Sequence, residues 1–197
     1  SINDGPVWEA MEKMDLQTRS RTEKILYYHE QKAVEQSKLN IGITETLEKL
    51  RQADIKIAIL TRNRKCNALA VAEKHGLKNV RFVHSNWYEA LPEEVSFDFI
   101  VSNPPYIRDD DPHLEQGDLP HEPRYALASG KEGLDDIEKI LNGLRQYLKP
   151  GGWLMLEHGY DQGTAVQQRF TESGLEQVCC HQDLQGLNRI CIGRLPV

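Results

Sequence analysis

The hydrophobic positions change their period once along the chain. Up to about residue 53 they recur at helical spacing: Val7, Met11 and Met14 fall a turn apart, and Ile25, Leu26, His29, Ala33 and Val34 follow "SRTE" at Ser20–Glu23, which reads as a capping box. A third helical stretch, "ITETLEKLRQA", puts Leu47 and Leu50 on one stripe. Beyond it, short apolar runs alternate with helical ones. "IKIAIL" (55–60), "NVRFVHS" (79–85), "FDFIVS" (97–102) and "WLMLEH" (153–158) read as strands. Helices are predicted over 64–75, from Leu134 to Leu148 with "KPGG" as its stop, and over 162–173. "EQVCCH" and "NRICIGR" read as two last strands joined by a polar turn. The pattern predicts an α/β fold, a Rossmann-like three-layer sandwich with a mostly parallel sheet, an antiparallel C-terminal strand pair and an N-terminal helical subdomain. The division expected is a helical segment over 1–53 and an α/β domain over 54–197.

Composition narrows the functional classes. With 197 residues, 39% of them hydrophobic, the chain can bury one substantial core. A formal net charge of −6 without a basic block repels a phosphate backbone, so nucleic acid is a poor partner. Cys66, Cys179, Cys180 and Cys191 form neither CxxC pairs nor a disulfide framework, which fits a reducing cytoplasm. No apolar run approaches the roughly 18 to 20 residues that span a bilayer, and no apolar signal-peptide core opens the chain.

The candidate chemistry sits in "IVSNPPYI" (100–107), where a strand stops on an Asn, two prolines and a Tyr. In a parallel sheet, ligands bind at the carboxyl ends of the strands. Pro104 and Pro105 cannot continue a ladder, and they stiffen the turn that presents the Asn103 carboxamide and the Pro104 carbonyl. Two such acceptors can hold both hydrogens of a planar NH2 group, with the Tyr106 ring alongside to stack on it. The plainer reading is a proline-containing strand exit with Asn103 capping a turn. Trp87 reads either as a cover for an adenine ring or as core. Asp109, Asp110 and Asp111 read as a solvated charge cluster, and His113, His121 and His158 lack ligand spacing, so no metal site is expected.

Residues 77–194 resemble the catalytic domain of the HemK/PrmC-type protein-glutamine N5-methyltransferases that modify peptide release factors. The likeness is carried by "GLKNVRFVHSNWYEAL", "FDFIVSNPPYI", "HEPRYALASGKEGLDDI", "LKPGGWLMLEHG" and "NRICIGR". It implies S-adenosylmethionine as methyl donor, a release factor as partner, and a glutamine amide held by Asn103 and Pro104 with Tyr106 against it. It also implies that Glu122 and Pro123 shape the substrate entrance or order their loop, and that Asn86 meets the adenine amine. Thr61, Asn63 and Lys65 stand where that family places glycines against the cofactor; of these, Asn63 tolerates left-handed backbone best and is the expected cofactor contact. Residues 5–77 instead resemble the cap and second motif of a haloacid-dehalogenase-type phosphatase, with Thr61 as its phosphate-binding hydroxyl but without the D-x-D nucleophile. Taken together, the resemblances imply a hybrid chain, natural or engineered. Three classes stay open: a glutamine methyltransferase weakened by the missing glycine-rich loop, an inactive hybrid scaffold, and an adenine-N6 methyltransferase of nucleic acid.

Overall fold

The computed structural model describes residue 11 and residues 13–197, apart from 62–64, 78–79, 118 and 120–123. Helices α1 (Leu16–Gln36) and α2 (Ile43–Gln52) precede β1 (Ile57–Leu60) and α3 (Lys65–Lys74). After β2 (Phe97–Ser102) come a 3-10 turn (Pro112–Glu115), the one-turn α4 (Arg124–Leu127) and α5 (Asp135–Tyr147). Strand β3 (Leu148–Glu157), α6 (Gly163–Glu172), β4 (Glu176–Gln182) and β5 (Asn188–Arg194) complete the order. The sheet runs β1-β2-β3-β5-β4; β1, β2 and β3 are parallel, and β5 returns antiparallel between β3 and β4. This is the α/β architecture expected from the alternation, with the terminal hairpin as its antiparallel part.

The core forms where helical and strand periods meet. Ile137, Ile140, Leu141 and Leu144 make one face of α5 and are buried with Leu154, Leu156 and Ile100 of the sheet. Val166 and Phe170 of α6 cover the other strands; Phe170 lies so close to Gly193 of β5 that a Cβ there would sit 2.9 Å from its ring. Burying each such side chain contributes about 2 kcal/mol, so this patch, rather than helix propensity, holds α5 and α6 in place.

Three local expectations need correction. Ser20 does not open a helix: α1 is already running, and its N-cap is Asp15, whose carboxylate accepts from the Gln17 and Thr18 amides. The helix does stop ahead of "KPGG", but the strand expected from Trp153 already starts at Leu148, so that stretch belongs to β3, where Gly151 takes φ +78° and its amide pairs with the Leu195 carbonyl at 2.8 Å. Residues 80–85 are not a strand. A strand needs a neighbour to share its ladder, and here Val80 and Val83 stay exposed and no described residue pairs with the outer edge of β1. Leu47 and Leu50 do share a stripe, but no residue of α2 is buried. Val7 lies outside the described residues.

Helix α1 docks on α3 through polar contacts that no periodicity signals. Lys74 Nζ donates to the carbonyls of Val34 (2.8 Å), Glu35 (2.6 Å) and Ser37 (2.6 Å), placing a cation on the negative end of α1. No helix among the described residues is long and apolar enough to cross a membrane.

At the amino ends of the parallel strands, Asp98 accepts from the Lys56 amide (2.8 Å) and from Lys149 Nζ (2.8 Å), knotting β1, β2 and β3 together. Burial raises the Asp98 carboxyl, but the Lys149 ammonium and the Lys56 amide outweigh it and hold the group below its ordinary value. A carboxyl depressed in the folded state contributes stability above its unfolded pKa and loses it as pH falls through the folded one. Asp98→Asn is therefore expected to cost about 1 kcal/mol at neutral pH. In urea unfolding, the gap from wild type should close as pH drops below about 4.

Candidate active site

Because β1, β2 and β3 are parallel, Leu60, Ser102 and Leu156 come level at one edge, and the Ser102 hydroxyl donates to the Leu60 carbonyl at 3.0 Å. The chain leaves this edge as Asn103-Pro104-Pro105-Tyr106. Both prolines are buried, Tyr106 is half-buried and Asn103 is exposed. The Asn103 side chain makes no hydrogen bond to a described residue, so its oxygen and amino group are both uncommitted. The capping role allowed for Asn103 is not what its side chain does.

Tyr106 is held at both ends. Its hydroxyl donates to Glu157 Oε1 at 3.3 Å, and its carbonyl accepts from Gln162 Nε2 at 2.9 Å. Burial, then the Glu157 carboxylate, keeps the phenol above its ordinary pKa, with Arg189 pulling the other way. Tyr106 is thus a neutral donor at physiological pH. One residue on, Ile107 bridges to Ala128: its amide donates to Leu127 and its carbonyl accepts from Ser129, each at 2.9 Å.

A buried carboxylate connects this turn to the Asn86–Trp87 corner. Asp136, 3% exposed, accepts from Ser129 Oγ (2.9 Å), Trp87 Nε1 (3.2 Å) and Lys139 Nζ (3.0 Å). Trp87 takes φ +51° and packs against the core with its N–H committed to Asp136, which favours the packing reading of its ring. Asn86 is exposed and its side-chain amino group donates to Glu89 Oε1 at 2.6 Å, leaving its side-chain Oδ1 as an acceptor. The structure therefore brings Asn103, Pro104, Pro105 and Tyr106 to one strand exit, and ties the loop bearing Asn86 and Trp87 to the same supporting segment. Asn63, Glu122 and Pro123 lie outside the described residues. Thr61 is exposed where β1 ends.

His158 is fully buried and not aimed at this edge. Its Nδ1 lies 2.7 Å from the Gly159 carbonyl, which can only accept, so Nδ1 carries the proton and Nε2 faces Cys180 Sγ at 3.6 Å. Asp111 caps the 3-10 turn by accepting from the His113 amide at 2.9 Å. Sequence reasoning passed over Glu157, Ser129, Asp136 and Gln162. Of these, Glu157 carries a readable signal, an acid closing an apolar strand beside the motif strand; the others sit in loops or at helix starts without one.

Four likenesses to known proteins bear on the family and the fold. A methyltransferase-domain family model matches residues 53–190. The release factor glutamine methyltransferase of Xylella fastidiosa (strain Temecula1) is 53% identical over 125 residues, 64% of this chain and 45% of that protein. Its counterpart in Coxiella burnetii (strain RSA 493) is 40% identical over 162 residues, 82% of this chain and 52% of that protein. The chain spans about half the length of these curated relatives. A solved methyltransferase from Pyrococcus furiosus shares the fold, with TM-score 0.50 at 19% identity over 78% of this chain and 69% of that one. The family match takes in residues 53–77, the stretch that resembles a phosphatase's second motif, and none of these likenesses supports a phosphatase region or a hybrid chain. The misreading has a physical source. A helix, a short apolar strand and a Thr at its exit suit any parallel α/β sheet, and here that strand pairs with β2.

Asp136→Ala should cost about 3 kcal/mol in urea unfolding, because Trp87, Ser129 and Lys139 lose a buried charged acceptor together. Folded-state tryptophan emission should shift to the red as the Trp87 loop loosens.

Proposed function

Because this chain belongs to the methyltransferase-domain family, we propose that it carries the catalytic part of an enzyme that moves a methyl group from S-adenosylmethionine to the side-chain amide nitrogen of a glutamine in a peptide release factor. The observation that carries the reading is the exposed, uncommitted Asn103 carboxamide on a strand exit stiffened by two buried prolines. Its relatives bearing the same chemistry in their names are up to about half identical over the matched region.

The geometry suits an amide nucleophile. Asn103 Oδ1 and the Pro104 carbonyl would accept the two N–H bonds of the glutamine amide, fixing its plane, while Tyr106 closes one side. Donating both hydrogens to acceptors pushes electron density onto a nitrogen that is otherwise a weak nucleophile, and alignment supplies most of the rest. S-adenosylmethionine supplies an electrophilic methyl on a sulfonium. When bound, its sulfur would be the leaving group that takes the bonding electron pair, the amide nitrogen held by Asn103 and Pro104 would be the methyl acceptor, and the proton that this nitrogen gives up would pass to water. No group in this account has to act as a general base.

The described residues fit the cofactor by their donor chemistry: Asn86 offers a spare acceptor for the adenine amine, and Asn103 lies at the carboxyl edge. Asn63 is proposed for the cofactor's sugar side and Glu122 with Pro123 for the substrate entrance. Trp87 serves by holding the Asn86 corner. Residues 1–53 would form a helical segment beside the catalytic unit of 54–197. A second reading, an inactive scaffold, is favoured by the exit of β1, "TRNRK", which has no glycine. Release factor as partner and a cytoplasmic setting belong to the first reading.

Titration of S-adenosylmethionine by calorimetry separates the two: saturable heat supports the enzyme, and none at millimolar ligand leaves the scaffold. With a release factor as substrate, Asn103→Ala should lower kcat on the order of 100-fold.

A further inference from the structure

We infer that Gln162 is a positioning residue for the methyl-accepting site, an assignment that rests on the proposed transfer to a glutamine amide. Neither proline of the Asn103–Tyr106 turn has an N–H to give, and no backbone-to-backbone hydrogen bond among the described residues reaches Pro104, Pro105 or Tyr106. The main chain of the turn is held instead by a side chain. Gln162 Nε2 donates to the Tyr106 carbonyl at 2.9 Å and to the Glu132 carbonyl at 3.0 Å, with the Gly133 carbonyl at 3.4 Å; its Oε1 accepts from the Gly159 amide at 2.8 Å. An amide has two hydrogens, and the two shorter contacts use both. One carboxamide therefore joins the β2 exit, the 129–134 loop and the β3 exit.

The backbone around it is shaped for that contact. Gly133 has φ +71°, and a Cβ there would collide with the Tyr106 carbonyl oxygen and come within 2.7 Å of Gln162 Nε2. A Cβ on Gly159 would lie 2.9 Å from Gln162 Oε1. Gln162 precedes α6 but makes no side-chain cap for it, so its polar atoms are spent on the turn and not on its own helix. Since Tyr106 is two residues from Pro104, displacing its carbonyl moves the acceptor pair that would grip the substrate. The charge-neutral amide matters: a carboxylate here would face three carbonyl oxygens.

The test compares Gln162→Glu and the shorter Gln162→Asn with wild type, reading amide hydrogen exchange together with methyl transfer to a release factor. In Gln162→Glu the Ile107 and Ser129 amides should exchange about tenfold faster while Leu154 and Ile192 in the sheet keep their protection. Its kcat should fall on the order of 100-fold with S-adenosylmethionine affinity unchanged, and recover in part at acid pH where a protonated carboxyl can donate again. Gln162→Asn keeps the chemistry and should fall between the two. Unchanged exchange at Ile107, or equal loss across the sheet, overturns the assignment. If wild type transfers no methyl group, the proposed function falls separately and the exchange comparison alone decides the role of Gln162.

Discussion

Two residues without a backbone N–H stand where β2 would otherwise hand its ladder onward, and the neighbouring loops are arranged around that loss. A buried main chain must find partners for its polar groups. Beyond Ser102 the usual partners are gone, so Gln162 reaches in for Tyr106, the Ala128–Ser129 segment pairs with Ile107, and Ser102 turns its hydroxyl to Leu60. The effect is a turn that cannot slide along the sheet edge. Loose attachment would matter little for a charged ligand drawn in by its field. For a neutral amide, whose reactivity depends on orientation, it matters a great deal.

The supports are layered. Asp136 lies behind the turn and holds Ser129, which holds Ile107; the same carboxylate holds Trp87 and so the loop that carries Asn86. Around it, α5 supplies both the buried apolar face and, at its first turn, the carboxylate itself, so packing of the core and placement of the site are one event. At the opposite ends of the strands, Asp98 and Lys149 lock the register that makes Leu60, Ser102 and Leu156 level. A slip there would separate the exits that the site requires to be adjacent.

What the sequence made legible follows the range of the interaction. β2, α5 and the C-terminal hairpin were readable because each repeats its own period many times. The capping box at Ser20 failed because Asp15 offered a better acceptor five residues earlier, and the 79–85 strand failed because an apolar run does not say whether the segment will pair with a sheet edge, even where one is open. The motif Asn103–Tyr106 was legible since its residues are consecutive. Its supports were not: Gln162 meets Tyr106 across 56 positions, Glu157 meets it across 51, and Trp87 meets Asp136 across 49. Only the folded sheet makes them neighbours. The likeness to a phosphatase arose the same way, from a helix-strand-Thr pattern that many parallel sheets share.

The chemistry of these contacts also bears on how the site responds to its surroundings. Asn103, the Pro104 carbonyl, Gln162 and the Ile107 main chain do not titrate, and the Tyr106 phenol is pushed further from neutrality by burial and by Glu157. Every element argued to grip or align the amide therefore keeps its donor or acceptor character across the neutral range. A site built on an ammonium or an imidazole would gain attraction for an anion but lose its shape with protonation. For the substrate proposed, an uncharged side chain, the net charge of −6 would steer little, and selection would fall to geometry. An unclaimed carboxamide on a stiff exit, backed by another carboxamide that is fully claimed, is a consistent solution to that requirement.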